Sequence, residues 1–227
     1  MINNVLSWPA TCRWRVDPWR TESFMRRLIL ALAALVSAAG CSSSSAPNAS
    51  PPVPSDQLHV VVQDSTAPPL YSYTTSQLFT AGQNADVRLY YRDPTTGGYG
   101  DELVRFEVPN DGLFRRPDGT AFQTGDTVRI TITVVDPKKM LFEFQPAGLQ
   151  FNPNDPARLR LEYQHDDHDY NGDGVVNAAD STIQQQLDMW KNDPPSTLWF
   201  RQGAVNFESL EEINANILSF SQYAVAW

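Results

Sequence analysis

The stretch HDDHDYNGDGVVNAAD, residues 165–180, is the densest concentration of carboxylates, amides and imidazoles in this 227-residue chain. Counted from Asp169, oxygen-bearing side chains fall at position 1 (Asp169), 3 (Asn171), 5 (Asp173), 9 (Asn177) and 12 (Asp180). Gly174 stands at 6 and Val175 at 7. A calcium ion takes six to eight hard oxygens, and this spacing can supply them. Side chains at 1, 3 and 5 converge from a curled backbone, and glycine at 6 permits the sharp turn. The carbonyl at 7 adds an oxygen whatever its side chain, so Val is acceptable there. A carboxylate at 12 closes the shell from the first turn of a helix. The expected cofactor is calcium. Its expected ligands are Asp169, Asn171, Asp173, the Val175 carbonyl, Asn177 or its water, and Asp180. Val176, at 8, is expected to plug the apolar side of the loop. The bland alternative is a solvated acidic turn.

Other chemistry has weaker support. His165 and His168 with Asp166 or Asp169 invite a zinc site, but no third nitrogen or sulfur ligand lies nearby, and a polar loop is the simpler expectation. No G-x-S-x-G, H-E-x-x-H, P-loop or dinucleotide turn occurs. Asp166-Asp167 and Glu211-Glu212 are adjacent pairs, whose side chains diverge, whereas carboxylate catalysis needs convergence across a cleft. Glu211-Glu212 are expected on an exposed turn before a strand. The chain is therefore expected not to be an enzyme. Trp190, Trp199 and Trp227 suit a core or its rim better than a sugar-stacking platform.

The loop spacing resembles the EF-hand. With Asp at 12, DYNGDGVVNAAD resembles more closely the dockerin calcium repeat, D-x-N-x-D-G-x-V-N-x-x-D. A dockerin carries two repeats and this chain has one. The preceding RLRLEYQ alternates like a strand. The resemblance therefore implies a strand–loop–helix calcium site, not a cohesin-binding dockerin.

The elements that must hold this loop are mostly short strands. LHVVVQ (58–63), ADVRLYYRD (85–93), LVRFEVP (103–109), TVRITITVVD (127–136), MLFEFQP (140–146), ARLRLEYQ (157–164), QGAVNFES (202–209) and SFSQYAVAW (219–227) read as strands, several with period-2 alternation. TTGGYG (95–100) and the Asp-Gly pairs at 111–112 and 118–119 mark turns. From Ala178 to about Asn192, Ile183, Leu187 and Trp190 form one apolar stripe at helical spacing. Asn177 is expected to cap that helix with Asp180 as its acidic partner, and Pro194-Pro195 to stop it. The expected fold class is mainly β: an antiparallel β-sandwich over 58–227 with an inserted calcium loop at 169–180 and one α-helix.

The N-terminal residues follow other rules. MRRLILALAALVSAAGC, residues 25–41, has a positive start, an apolar run too short to span a bilayer, and small residues before Cys41. It reads as a signal peptide, and AAGC resembles the bacterial lipobox. That resemblance implies diacylglycerol on the Cys41 thiol and a bacterial cell-envelope location. Ser42 after the Cys resembles outer-membrane sorting. The alternative is an ordinary secretory signal with an incidental Cys. Residues 1–24 read as a mis-called upstream extension. The Ser/Pro-rich stretch 42–57 reads as a tether, reaching roughly 50 Å at ~3.1 Å per residue. Removing 1–41 takes away five Lys/Arg and two Asp/Glu and leaves 12 basic against 24 acidic residues, a net charge of −12. That surface repels phosphate backbones, so no nucleic-acid partner is expected. Neither Cys lies beyond position 41, which excludes a disulfide framework after the anchor.

Over about 103–227, FEVPNDGLF, TVRITIT, LFEFQPAGLQFNPNDPARLRLEY, IQQQLDMW and INANILSFSQYAVAW follow an order that resembles the ZU-five β-sandwich domain. In that family some members self-cleave at a His-Phe-Ser tripeptide. This chain has Ser219-Phe220-Ser221, so the assisting His is missing and the chemistry is not carried over. The expected function is that of a lipid-anchored envelope protein: a non-catalytic binding or structural module with a structural calcium site. The alternative is a carbohydrate-binding or glycan-processing accessory protein. The expected partners are the membrane, through Cys41, and a protein or glycan that the sequence does not identify.

Overall fold

A computed structural model describes residues 50–227. The upstream extension, the signal segment, its Cys41 and the start of the tether lie outside the described residues. Fourteen strands and one helix follow in order: β1 Val53–Pro54, β2 Thr74–Thr80, β3 Ala85–Arg92, β4 Tyr99–Val108, β5 Leu113–Arg115, β6 Thr127–Val134, β7 Leu141–Gln145, β8 Gln150–Phe151, β9 Ala157–Glu162, α1 Ala178–Gln184, β10 Asp188–Asn192, β11 Leu198–Arg201, β12 Val205–Phe207, β13 Glu212–Ile217 and β14 Gln222–Ala226. All paired strands run antiparallel.

Two sheets make the sandwich. One has seven strands in the order β1-β11-β10-β14-β7-β6-β2, the other five in the order β12-β13-β9-β4-β3. The inward residues are those that the alternation marks. Val87, Leu89 and Tyr91 of β3, Ile130, Ile132 and Val134 of β6, and Leu159 and Leu161 of β9 are all buried. Phe106 of β4 meets Phe144 of β7 at 5.7 Å and Phe220 at 5.0 Å, joining the two sheets through aromatic rings. On the other face of the seven-stranded sheet, Trp190, Trp199, Ala224 and Ala226 form a second apolar cluster covered by Val53, Leu58 and Val60.

Three expectations change. The helix ends at Gln184, and 188–192 is strand β10 between β11 and β14. Met189 turns to the main core and Trp190 to the second cluster. A strand buried on both faces loses its alternation, and Leu187 and Trp190 then mimic a helical stripe. The stretch 58–63 is not a regular strand. Its Val60, Val62 and Gln63 make single bridges to Ala226, Lys139 and Asp166, so it crosses between partners. The tether is pinned at its end: Val53–Pro54 pairs with β11, and the Trp199 indole N–H donates to Ser55 Oγ at 3.0 Å.

Candidate metal centre

The chain leaves the five-stranded sheet at Glu162 and re-enters the seven-stranded sheet at Asp188. The acidic loop and α1 fill this crossing. The local fold follows from turn chemistry. Gly172 and Gly174 hold φ of 72° and 86°, the left-handed region that side chains avoid, so glycine at position 6 serves the backbone turn. Asp169 accepts from Asp173 N at 3.1 Å and from Gly174 N at 2.6 Å. Asn171 Oδ1 accepts from Asp173 N at 2.8 Å, and Asp173 Oδ1 accepts from Val175 N at 2.9 Å. The three side chains expected at positions 1, 3 and 5 thus share one curled segment.

Asp180 closes the loop. It is 1% exposed, and its two oxygens accept from Asn171 N at 3.1 Å and Asn177 N at 2.9 Å. Burial pulls its pKa up, but these backbone donors outweigh burial and hold the carboxyl below its ordinary value. Asn177 caps α1: its Oδ1 accepts from Ala179 N at 2.7 Å, and the capping box with Asp180 is complete. Its Nδ2 donates to the Val175 carbonyl at 2.8 Å. Asn177 and Asp180 therefore serve the helix start as well as the loop.

Val176 does not plug the loop; it is 66% exposed. The apolar anchor is Tyr170, buried against the core with its ring 5.6 Å from Trp227. Among the described residues, no three His, Cys, Asp or Glu side chains are grouped so as to hold a metal ion. The loop carboxylates are instead turned onto backbone N–H groups. The donor set itself is all hard oxygen, the chemistry that suits calcium.

The histidines go to separate partners and sit half-buried, not on a free polar surface. His165 Nε2 meets Asp101 at 2.9 Å. His168 Nε2 meets Glu211 at 2.9 Å, and its Nδ1 lies 3.3 Å from Asp166 Oδ1. Asp166 is 3% exposed. The Tyr170 hydroxyl donates to its Oδ2 at 2.5 Å, while Oδ1 accepts no hydrogen bond. Burial pushes the Asp166 carboxyl up to about 6, against the pull of Tyr170 and His168. Burial disfavours protonated His168, but Glu211 and Asp166 outweigh it and raise its pKa. This cluster was not foreseen. Asp166, His168 and Tyr170 are local to one another; Glu211 arrives from a distant turn.

The adjacent acidic pairs diverge as expected. Glu211 reaches His168, and Glu212, at the start of β13, reaches Arg160 at 3.5 Å. Trp190 and Trp199 are buried, and Trp227 stacks on His59 at 5.4 Å, so none forms a platform. Comparison of the chain with protein-family models, with curated proteins and with solved structures found no match.

Proposed function

We propose that this chain is a lipid-anchored cell-envelope protein whose β-sandwich is a non-catalytic binding or structural module, stabilised by one calcium ion in the 169–180 loop. The observation that supports the calcium reading most directly is the loop itself. Oxygen side chains at 1, 3, 5 and 12 lie on a curled backbone that ends in a capped helix. Asp169, Asn171, Asp173, Asp180 and the Val175 carbonyl would hold the ion, with Asn177 contributing through water because its side chain caps the helix. The ion would offset most of the charge of three carboxylates and tie β9 to α1. At calcium 100 times its dissociation constant the gain would be about 2.7 kcal/mol.

The signal and lipobox pattern at 25–41 supports the anchor, and the order of strands over 103–227 supports a ZU-five-like sandwich. The test is isothermal titration of chelator-stripped protein. Calcium should bind with about 1:1 stoichiometry, and equal magnesium should bind more weakly, because magnesium demands a tighter octahedral shell. No heat of binding up to roughly millimolar calcium, the weak end for extracellular modules, overturns the metal reading.

A further inference from the structure

The outer face of the five-stranded sheet carries its side chains in register. One row crosses β3, β4, β9, β13 and β12 as Arg88, Arg105, Arg160, Asn214 and Val205. Beside it runs Asp86, Glu107, Arg158 and Asn216. On the other side Tyr90 stands opposite Glu102, and Glu162 opposite Glu212, which faces Phe207. Like charges directly opposite one another on adjacent strands repel. Here the arginine row is quenched from both flanks. Arg88 pairs with Asp86 and Glu102, Arg105 with Glu107 and, through Nε at 3.8 Å, with Asp86, and Arg160 with Glu102, Glu162 and Glu212.

The lattice is not closed. Arg158 has no ion pair among the described residues. The Nε atoms of Arg105 and Arg160 are shielded from solvent and lack an acceptor. Such a donor left without a hydrogen bond costs free energy in the free protein. Two shallow basins of about 440 and 460 Å³ lie on this face and share Arg105, Glu107 and Arg158. Five strands at ~4.8 Å spacing give a face roughly 19 Å across. Aromatic rings stand at its two edges. Phe207 is 41% exposed on β12, and Tyr90 on β3 packs against Tyr99 at 4.9 Å.

The charges select the ligand class. Four arginines stand among five carboxylates, so an anion meets the carboxylates and a cation meets the guanidinium groups. An apolar ligand would strand donors and acceptors alike. A hydroxyl both donates and accepts, so a vicinal diol can bridge a guanidinium and a neighbouring carboxylate. We propose that this face binds an extended neutral oligosaccharide, its hydroxyls on Arg105, Arg158, Arg160 and Asn216 and its apolar ring faces against Phe207. The site uses none of the loop residues and stands independently of calcium.

The test is isothermal titration of the full chain with soluble neutral hexasaccharides of β-linked glucose, xylose, mannose and N-acetylglucosamine. Hexagalacturonate serves as the anionic comparison. At least one neutral hexasaccharide should bind with a dissociation constant of about 1 mM or tighter. Arg158→Ala and Asn216→Ala touch no ion pair and should leave the melting temperature unchanged, yet each should weaken binding about tenfold. Phe207→Ala should weaken it as well. Three results overturn the proposal: no neutral hexasaccharide binds, hexagalacturonate alone binds, or binding survives in both Arg158→Ala and Asn216→Ala.

Discussion

The Tyr170 hydroxyl donates to Asp166 across 2.5 Å, and both residues are sealed from solvent at the entrance to the acidic loop. Tyr170 thereby binds the loop to the sandwich through a ring in the core and a hydroxyl on a buried carboxyl. The second oxygen of that carboxyl has only the His168 imidazole nearby. Glu211, Asp167 and Tyr163 also face the pair, and none of them supplies a fixed positive charge.

This arrangement predicts a pH dependence with a definite sign. The Asp166 carboxyl is raised to about 6 in the fold, against about 3.9 in an unfolded chain. The unfolded state therefore binds fewer protons between these values, and stability falls as pH rises through that window. His168 is raised too, so its contribution is present below about 6.5 and is lost as pH rises through its folded value. Both act in one direction. Chelator-stripped protein should melt at a higher temperature at pH 5 than at pH 8. Asp166→Asn should flatten that difference, gaining on the order of 2 kcal/mol at pH 8 relative to wild type. Thermal melts across this range check it. Equal pH slopes in the two proteins remove Asp166 as the cause.

The sandwich was legible because its strands bury one face each. In β6, Ile130, Ile132 and Val134 alternate with Arg129, Thr131 and Thr133, and period-2 burial follows directly. β2 was silent for the opposite reason: in TTSQLFT only Phe79 is buried, and the rest, apart from exposed Leu78, is polar. β10 misled because both its faces are covered, so sequence recorded hydrophobicity without a period. The curled turn at 169–180 and its helix cap were legible because every member lies within twelve positions and the turn glycines are local. The Asp166–His168–Glu211 cluster was not, since it depends on β13 pairing with β9. The arginine row shares that limit. Its members are ordinary surface residues until register aligns them across five strands.

The anchor prediction follows from Arg26-Arg27, the apolar run and Cys41. Expressed from Met25 in a bacterium, the protein should incorporate labelled palmitate, and Cys41→Ser should abolish incorporation. Label persisting in the variant would falsify lipidation at Cys41.

A third prediction concerns chain integrity. Phe220 is buried beside Phe106, and the Ser221 hydroxyl donates to the Asn192 carbonyl. Ser219, at the place of the His in the His-Phe-Ser tripeptide, accepts from the Lys191 ammonium at 2.8 Å. The Asp193 carboxylate also faces Ser221, but the tripeptide itself holds no imidazole to take its proton. The mass of the denatured protein should show no break before Ser221. A released Ser221–Trp227 peptide would mean that cleavage proceeds without the histidine.

Chelation separates the loop from the sandwich. Without a cation, Asp169, Asp173 and Asp180 rely on backbone N–H donors and the Asn171 side-chain amide, and their mutual repulsion loosens the loop. The sandwich keeps its aromatic core around Phe106, Phe144 and Phe220. Chelator should therefore lower the melting temperature without abolishing the cooperative transition, and calcium should restore it. Asp173 lies in the exposed part of the loop, and its side chain bonds only within it, to Val175 N and Asn171. Asp173→Ala should resemble the chelated wild type and lose the calcium response. Asp180 also caps the helix, so Asp180→Ala should lose the same response and a further ~1 kcal/mol in the absence of calcium. That extra loss, read as the gap between the two variants in chelator, distinguishes the cap from the ligand. If the two variants melt together in chelator, Asp180 contributes nothing through the cap. If both variants keep the wild-type calcium shift, the loop carboxylates are not its source.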